Sequence, residues 1–213
     1  MDLLSEDLGD PDMIVVMDSG GPDYDHIWMT EALRGLVSGT LSVKVSHEGI
    51  HSGNSGGSIP SSFRIARTLL DRVEDSETGR ILIPEMYVDV DPDLKEKADS
   101  LASVVGNSIW EQFPTVDSLT PVADSVSEMI LGMNWLPSLC VIGADGMPPV
   151  QVAGNVLRTN TDLKLSFRIP PGVDADSLEP IIKRTLETDP PYGAEVTFTL
   201  DSSANGFDAP PLE

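Results

Sequence analysis

The chain is short of basic residues, of cysteine and of long apolar runs. Its 213 residues include 13 Lys and Arg against 35 Asp and Glu, which gives a formal net charge of −22. Nucleic-acid binders need a basic face to contact phosphates, and anionic membrane surfaces attract the same positive charge. The composition therefore argues against both partners. The single cysteine, Cys140, excludes an internal disulfide and a multi-cysteine zinc site.

Hydrophobic segments are equally limited. No window approaches the roughly 18 apolar residues that a membrane span needs. The first residues lack the basic and apolar segments of a signal peptide. Hydrophobic residues nevertheless make up 40% of the chain, which is enough to form a packed core. We therefore expect a globular, acidic protein of the cytoplasm.

Apolar periodicity predicts a mixed fold. Three segments alternate apolar and polar residues as half-exposed strands do, and a short apolar run adds a fourth strand; these lie at 41–45, 163–167, 195–200 and 139–142. Helical spacing follows Pro60 and resumes after Asp174 or Asp176, and we expect Pro180 to kink the second helix. The order predicts an α+β domain: a four-stranded antiparallel sheet with two helices on one face, in β-α-β-β-α-β (ferredoxin-like) order.

The same pattern suggests domain boundaries. We expect one domain over residues 35–200, interrupted by an insertion at about 80–136. Within the insertion, Asp91 and Pro92 form a favourable helix start, and residues 94–105 have helical spacing. The segments 1–34 and 201–213 read as edges of a different domain.

Two motifs suggest chemistry that their surroundings do not support. The segment around Ser55 satisfies the G-x-S-x-G pattern of a serine nucleophile, but all three histidines precede it, so the Ser…Asp…His order of that fold is absent. A serine hydrolase using Ser55 is a weak alternative to a plain glycine loop.

The acidic run from Asp89 resembles a calcium loop, but Leu94 and Ser100 stand where Gly and Glu are required, which favours helix capping.

Cys140 lies in the apolar run Leu139-Cys140-Val141-Ile142. Such surroundings are typical of a buried thiol without a catalytic role. We therefore expect Cys140 to be buried and inert.

The strongest functional signal combines three separate sites. His51 lies in the loop Gly49-x-His51-Ser52-Gly53-x-x-Gly56-Gly57, and Asn155 and Arg168 follow thirteen positions apart (168 − 155 = 13). Together they resemble the dimerisation, or lid, domain of the dinuclear zinc exopeptidases, a family that includes carnosinases, cytosolic dipeptidases, glutamate carboxypeptidase and succinyl-diaminopimelate desuccinylase. The long insertion is most similar to the carnosinase-like branch.

The resemblance implies a role for each matching position. Asp18, after the apolar run Ile14-Val15-Val16-Met17, matches a carboxylate that binds one of two zinc ions in the catalytic domain. His51 matches the lid histidine that reaches across a homodimer and polarises the scissile carbonyl. Arg168 matches the residue that binds the substrate carboxylate, and Asn155 a polar residue that assists near the same group. The implied substrates are small peptides or acyl-amino acids.

The sequence also departs from the family pattern. It contains no H-x-D ligand pair and no Glu-Glu pair, and Leu157-Arg158 replaces the usual proline after Asn155-Val156. We therefore expect residues 1–34 to be a catalytic-domain strand with its linker, residues 35–200 to be the lid, and residues 201–213 to lead back to the catalytic domain.

This organisation predicts a fragment that is inactive alone. We expect it to form a homodimer through an edge strand at 41–45 or through the helix at 60–73. A non-catalytic binding or regulatory domain with the same fold is the alternative.

Overall fold

The computed structural model describes residues 25–210 together with Gly9, Gly20, Gly21 and Asp23. The chain divides into two compact units, residues 1–30 and residues 31–213. Asp18 lies outside the described residues. Every strand and helix below belongs to the second unit.

The described residues of the second unit form eight strands and six α-helices. The strands are β1 (Ala32–Leu33), β2 (Gly35–Lys44), β3 (Ile50–His51), β4 (Ser138–Asp145), β5 (Val156–Leu157), β6 (Asn160–Ile169), β7 (Glu195–Ala204) and β8 (Phe207–Asp208). The helices are α1 (Ser52–Ser55), α2 (Ser62–Leu70), α3 (Pro92–Val105), α4 (Ser108–Glu111), α5 (Val126–Trp135) and α6 (Ala175–Glu187). Short 3₁₀ turns occupy Pro84–Met86, Val150–Val152 and Pro191–Gly193.

Four long strands form one antiparallel sheet in the order β4-β6-β2-β7. This arrangement confirms the predicted β-α-β-β-α-β fold. One expectation about it is wrong: residues 41–45 are not an edge strand, because β2 lies between β6 and β7. Alternation shows which face of a strand is buried, and it is the same for central and edge strands. The edges of this sheet are β4 and β7.

The core lies on one face of the sheet, under α2 and α6. Strand residues Leu41, Leu165, Phe167 and Phe198 are almost fully buried there. The helices contribute a matching apolar stripe: Ile65, Ala66, Leu69, Leu178, Ile182 and Leu186. The opposite sheet face carries mostly polar side chains, as expected for a two-layer α+β domain.

Two details of the predicted helices change. Helix α2 begins at Ser62 rather than at Pro60, because the Ser61 side chain accepts a hydrogen bond from the Arg64 N–H (3.4 Å) and caps the helix. Its buried stripe runs through Ile65, and Phe63 is exposed. Helix α6 includes Pro180, and the kink expected there stays a prediction.

The insertion is more regular than its sequence indicates. Helix α3 begins after Asp91, whose carboxylate accepts from the Leu94 N–H (2.9 Å), as predicted. Helix α5, which packs against α3, was not predicted. Its sequence is apolar over most of its circumference and so gives no amphipathic stripe. An ion pair from Lys97 in α3 to Glu31 (3.1 Å) attaches the insertion to the start of β1.

The segments that lead into and out of the sheet lie side by side. Strand β1 pairs with β8, so that Leu33 is opposite Phe207. Two glycines make this close approach possible. A Cβ added to Gly35 would lie 2.6 Å from the Gly206 nitrogen, and one added to Gly206 would lie 2.9 Å from the Gly35 nitrogen. Among the described residues, no helix combines the length and apolar character that crossing a bilayer demands.

Candidate functional site

His51 is held by the backbone of its own motif. It ends β3 and is the N-cap of the one-turn helix α1. Its ring nitrogen Nδ1 accepts a hydrogen bond from the Gly53 N–H (3.1 Å). An Nδ1 that accepts is unprotonated, so in the neutral ring the proton lies on Nε2. The exposed imidazole therefore offers an N–H donor to a ligand.

The neighbouring small residues explain the motif spacing. A Cβ at Gly53 would lie 3.0 Å from His51 Cε1, so glycine leaves room for the ring above the start of α1. Ser55 is only 2% exposed, and its hydroxyl donates to the carbonyl of His51 (3.1 Å). This geometry gives Ser55 a structural hydrogen bond and does not support a serine nucleophile, which needs access and a base.

Asn155 lies beside His51. The Ser52 N–H donates to the Asn155 carbonyl (2.9 Å), and the next residue, Val156, pairs with His51 across the β3–β5 ladder. The Asn155 side chain is exposed. The structure thus brings a histidine and an amide side chain to one loop cluster.

Arg168 occupies a different position. It lies on β6, between Leu36 of β2 and Ser138 of β4, with its side chain exposed on the polar face of the sheet. Directly opposite residues of an antiparallel pair share a face. Ser138 and Leu36 therefore lie on either side of Arg168 on this face.

His51 and Asn155 lie at the opposite end of the sheet from Arg168. Asn160, at the start of β6, is opposite Lys44, whereas Arg168 is opposite Leu36. The eight residue steps from Asn160 to Arg168 span about 27 Å at roughly 3.4 Å per step. The five residue steps from Asn155 to Asn160 cover at most about 18 Å. Among the described residues, no hydrogen bond or ion pair joins Arg168 to His51 or Asn155, and these lengths keep the Cα atoms of Asn155 and Arg168 at least about 9 Å apart.

Arg34, which the sequence interpretation did not single out, lies near Arg168. Its Nη1 donates to the carbonyls of Gly132 (3.2 Å) and Leu136 (3.1 Å) and to Ser138 Oγ (3.1 Å). Burial, and then the positive charge of Arg168, lower the pKa of Arg34. The only sequence signal is an arginine directly before Gly35 and β2; its partners lie about a hundred residues further along the chain.

Cys140 corrects a second expectation. The thiol is exposed, not buried. It lies on the edge strand β4, opposite Ser166, and the neighbouring Val141 and Ile142 are 47% and 61% exposed. A short apolar run predicts burial only where both faces of the strand are covered. Among the strands that the structure describes, β4 pairs with β6 alone.

The described side chains do not form a metal centre. Within residues 25–210 and the four other described positions, no three His, Cys, Asp or Glu side chains lie close enough to hold a metal ion. Two-metal sites need several such ligands converging on each ion. The described residues thus do not fit a metal centre, and the predicted ligand Asp18 is not among them.

Two curated proteins are similar to the chain in sequence. The human Beta-Ala-His dipeptidase is 25% identical over 179 residues, which is 78% of this chain and 35% of that protein. The Cys-Gly metallodipeptidase of Saccharomyces cerevisiae is 26% identical over 167 residues, 75% of this chain and 34% of that protein. The chain therefore spans about a third of the length of the curated relatives that it matches. No family model matches it.

Solved structures share the fold. The crystal structure of human carnosine dipeptidase 1 superimposes with a TM-score of 0.70 and 20% identity, covering 87% of this chain and 41% of that chain. A dipeptidase of Saccharomyces cerevisiae superimposes with a TM-score of 0.67 and 20% identity, covering 86% of this chain and 39% of that chain. A metallo-carboxypeptidase of Sulfolobus solfataricus superimposes with a TM-score of 0.57 and 15% identity, covering 81% of this chain and 39% of that chain. The resemblance to metallodipeptidases is thus confirmed: the chain is similar in sequence to part of the two curated dipeptidases and shares the fold of the solved ones.

Proposed function

We propose that this chain is the lid and dimerisation domain of a metallodipeptidase that hydrolyses peptide or amide bonds in small substrates with a free carboxylate. The observation that carries the proposal is the setting of His51. Its Nδ1 is held by Gly53 and its Nε2 is left as an exposed donor. A preorganised donor of this kind stabilises the charge that develops on a carbonyl oxygen during hydrolysis.

Arg168 and Asn155 complete the proposed substrate contacts. The planar guanidinium of Arg168 suits bidentate binding of the substrate carboxylate. Asn155 supplies an amide beside His51. In this proposal zinc belongs to a catalytic domain to which the present chain adds one ligand, Asp18. The zinc would activate the attacking water there, and the lid residues bind and orient the substrate.

The pairing of β1 with β8 supports a domain inserted into another domain. A domain is readily inserted when the two segments that connect it to its host lie close together. Here Ala32 is opposite Asp208. The chain on either side of residues 35–204 can therefore lead to the same neighbouring domain.

The homodimer is supported by the distance between the proposed contacts. His51 and Arg168 lie at opposite ends of one sheet, so we infer that His51 of one protomer acts with Arg168 of the other. The edge strand β4 offers a surface for the association, because no strand of the described part of the chain pairs with its outer edge and its Val141 and Ile142 are exposed.

A chimera tests this function. Residues 35–204 replace the matching domain of the yeast Cys-Gly metallodipeptidase, and the zinc-loaded chimera is assayed with a dipeptide. We expect His51→Ala to lower kcat by about 100-fold or more, as the loss of an oxyanion donor does. Arg168→Met should mainly raise KM.

The matched control is His47→Ala, which removes another exposed histidine of the same segment. We expect it to leave kcat unchanged. An active, dimeric chimera in which His51→Ala behaves like His47→Ala would show that His51 has no catalytic role. An active chimera would also argue against the alternative of a purely regulatory domain.

A further inference from the structure

Arg34 joins three parts of the fold at one guanidinium. It precedes β2, caps the end of α5 through the carbonyls of Gly132 and Leu136, and bonds the hydroxyl of Ser138 at the start of β4. The last four carbonyls of a helix have no partner within the helix, and a cation near them is favourable. Arg34 therefore fixes where the insertion ends and where β4 begins.

The residue fixed in this way lies next to Arg168. Ser138 is directly opposite Arg168 in the β4–β6 ladder. Such residues have Cβ atoms about 4.5–5.5 Å apart on the same face. Any shift of Ser138 would change the space available to the Arg168 side chain.

In the described part of the chain, no carboxylate forms an ion pair with Arg34 or Arg168. The carboxylate ion pairs there involve His26, Lys44, Lys97, Lys164 and Lys183. Acidic residues outnumber basic residues 35 to 13. The neighbouring guanidiniums of Arg34 and Arg168, without a paired carboxylate, therefore form an unusual positively charged patch. Such a patch favours an anionic ligand.

We propose that Arg34 is the positioning residue of the carboxylate site at Arg168, to which it couples the helical insertion through Ser138. The inference rests on the proposed function, because it assumes that Arg168 binds the substrate carboxylate. In this arrangement Arg34 orders β4 and α5 around the site, and Arg168 contacts the ligand.

The test uses the full ¹⁵N-labelled chain and N-acetylglycine, a small amide with one free carboxylate. Binding is followed by NMR at the backbone amides of Leu36 and Ser138, which flank Arg168. N-acetylglycinamide, which lacks the carboxylate, serves as the control compound. We expect Arg34→Met to weaken binding of N-acetylglycine by about tenfold, the effect of losing one well-placed charged contact.

Arg72 provides a matched control variant. It caps the end of α6 through the carbonyls of Thr185, Thr188 and Asp189, at the far end of the sheet from Arg168. Arg72→Met thus removes an equivalent cation and an equivalent helix cap. We expect both variants to lower the unfolding midpoint, but only Arg34→Met to weaken binding.

A double-mutant cycle separates positioning from general stability. If Arg34 acts through Arg168, then Arg34→Met should weaken binding no further in an Arg168→Met background, while its effect on unfolding persists. Should Arg34→Met not fold, Arg34→Lys keeps the charge without the planar fork, and we expect it to bind with intermediate affinity.

The outcomes distinguish the inference from the function on which it rests. If Arg168→Met loses binding and folded Arg34 variants bind like wild type, the positioning role is wrong and the role of Arg168 stands. If Arg168→Met binds N-acetylglycine like wild type, the proposed carboxylate contact fails, and the positioning role fails with it.

Discussion

Two glycines show how differently single residues are constrained in this fold. A Cβ on Gly39, in central strand β2, would lie 2.3 Å from the Phe198 ring and 2.7 Å from the Thr199 carbonyl. A Cβ on Gly132, in helix α5, would meet no atom within 4 Å. We expect Gly39→Ala to destabilise the chain by about 1–3 kcal/mol. Gly132→Ala should stabilise it by about 0.5–1 kcal/mol, since alanine lowers the entropy of the unfolded chain.

Urea unfolding of both variants measures these effects. Each substitution adds the same methyl group, so each is the control for the other. Equal stability of Gly39→Ala and wild type would contradict the close approach of β2 and β7 at this position.

The surroundings of Cys140 and Arg34 depend on residues that are distant in sequence. The apolar neighbours of Cys140 predict burial, but an edge strand leaves the thiol exposed. Arg34 could not be identified as important, because its hydrogen-bond acceptors are distant in sequence. The position of His51, by contrast, depends on a contiguous motif. His51, the two residues after it and the glycine spacing are enough to form the N-cap of helix α1.

On the polar face of the sheet, one carboxylate connects three strands. Asp201 of β7 accepts from Lys164 Nζ of β6 (2.6 Å) and from Thr40 Oγ1 of β2 (3.2 Å). The hydrogen bond from Lys164 holds the pKa of Asp201 below its ordinary value of 3.8. A carboxyl whose pKa is depressed on folding stabilises the protein above the unfolded pKa. That contribution is lost as the pH falls through the lower folded value.

We therefore expect Asp201→Asn to lower the urea midpoint at pH 7, with the difference from wild type shrinking as the pH falls below 3.8. Lys164→Met should have a similar effect, and the double variant should lose little more than either single one. Because both side chains are exposed, the effect should be small. A difference between Asp201→Asn and wild type that persists unchanged at low pH would show that the ion pair is not its cause.

Element order was predictable from the sequence, and strand position was not. The alternation in β2, β6 and β7 and the helical stripes of α2 and α6 reflect one buried face, which hydrophobic periodicity reports directly. Which strand is central depends on pairing over more than a hundred residues, as between Val37 and Phe167. The sequence does not predict helix α5, because its packing against α3 stabilises it more than its own hydrophobic periodicity does.

For the whole molecule, the charge of −22 opposes the proposed homodimer. Two copies together carry −44 (2 × −22), and their mutual repulsion is long-ranged at low salt. The Debye length falls from about 10 Å at 0.1 M salt to about 3 Å at 1 M. If β4 mediates association, added salt should strengthen it, because screening weakens the repulsion and leaves strand pairing intact.

Sedimentation velocity of the full chain at 20 mM and 500 mM NaCl tests this prediction, and we expect the dimer dissociation constant to fall by about tenfold with salt.

The variant Ile142→Lys tests whether β4 is the interface. By net charge alone it should favour association, but a lysine on the exposed edge of β4 should block strand pairing. Val122→Lys makes the same charge change at a 91% exposed position in the insertion. A tighter dimer in Val122→Lys with none in Ile142→Lys would place the interface at β4; equal behaviour of the two variants would remove β4 from the proposed dimer.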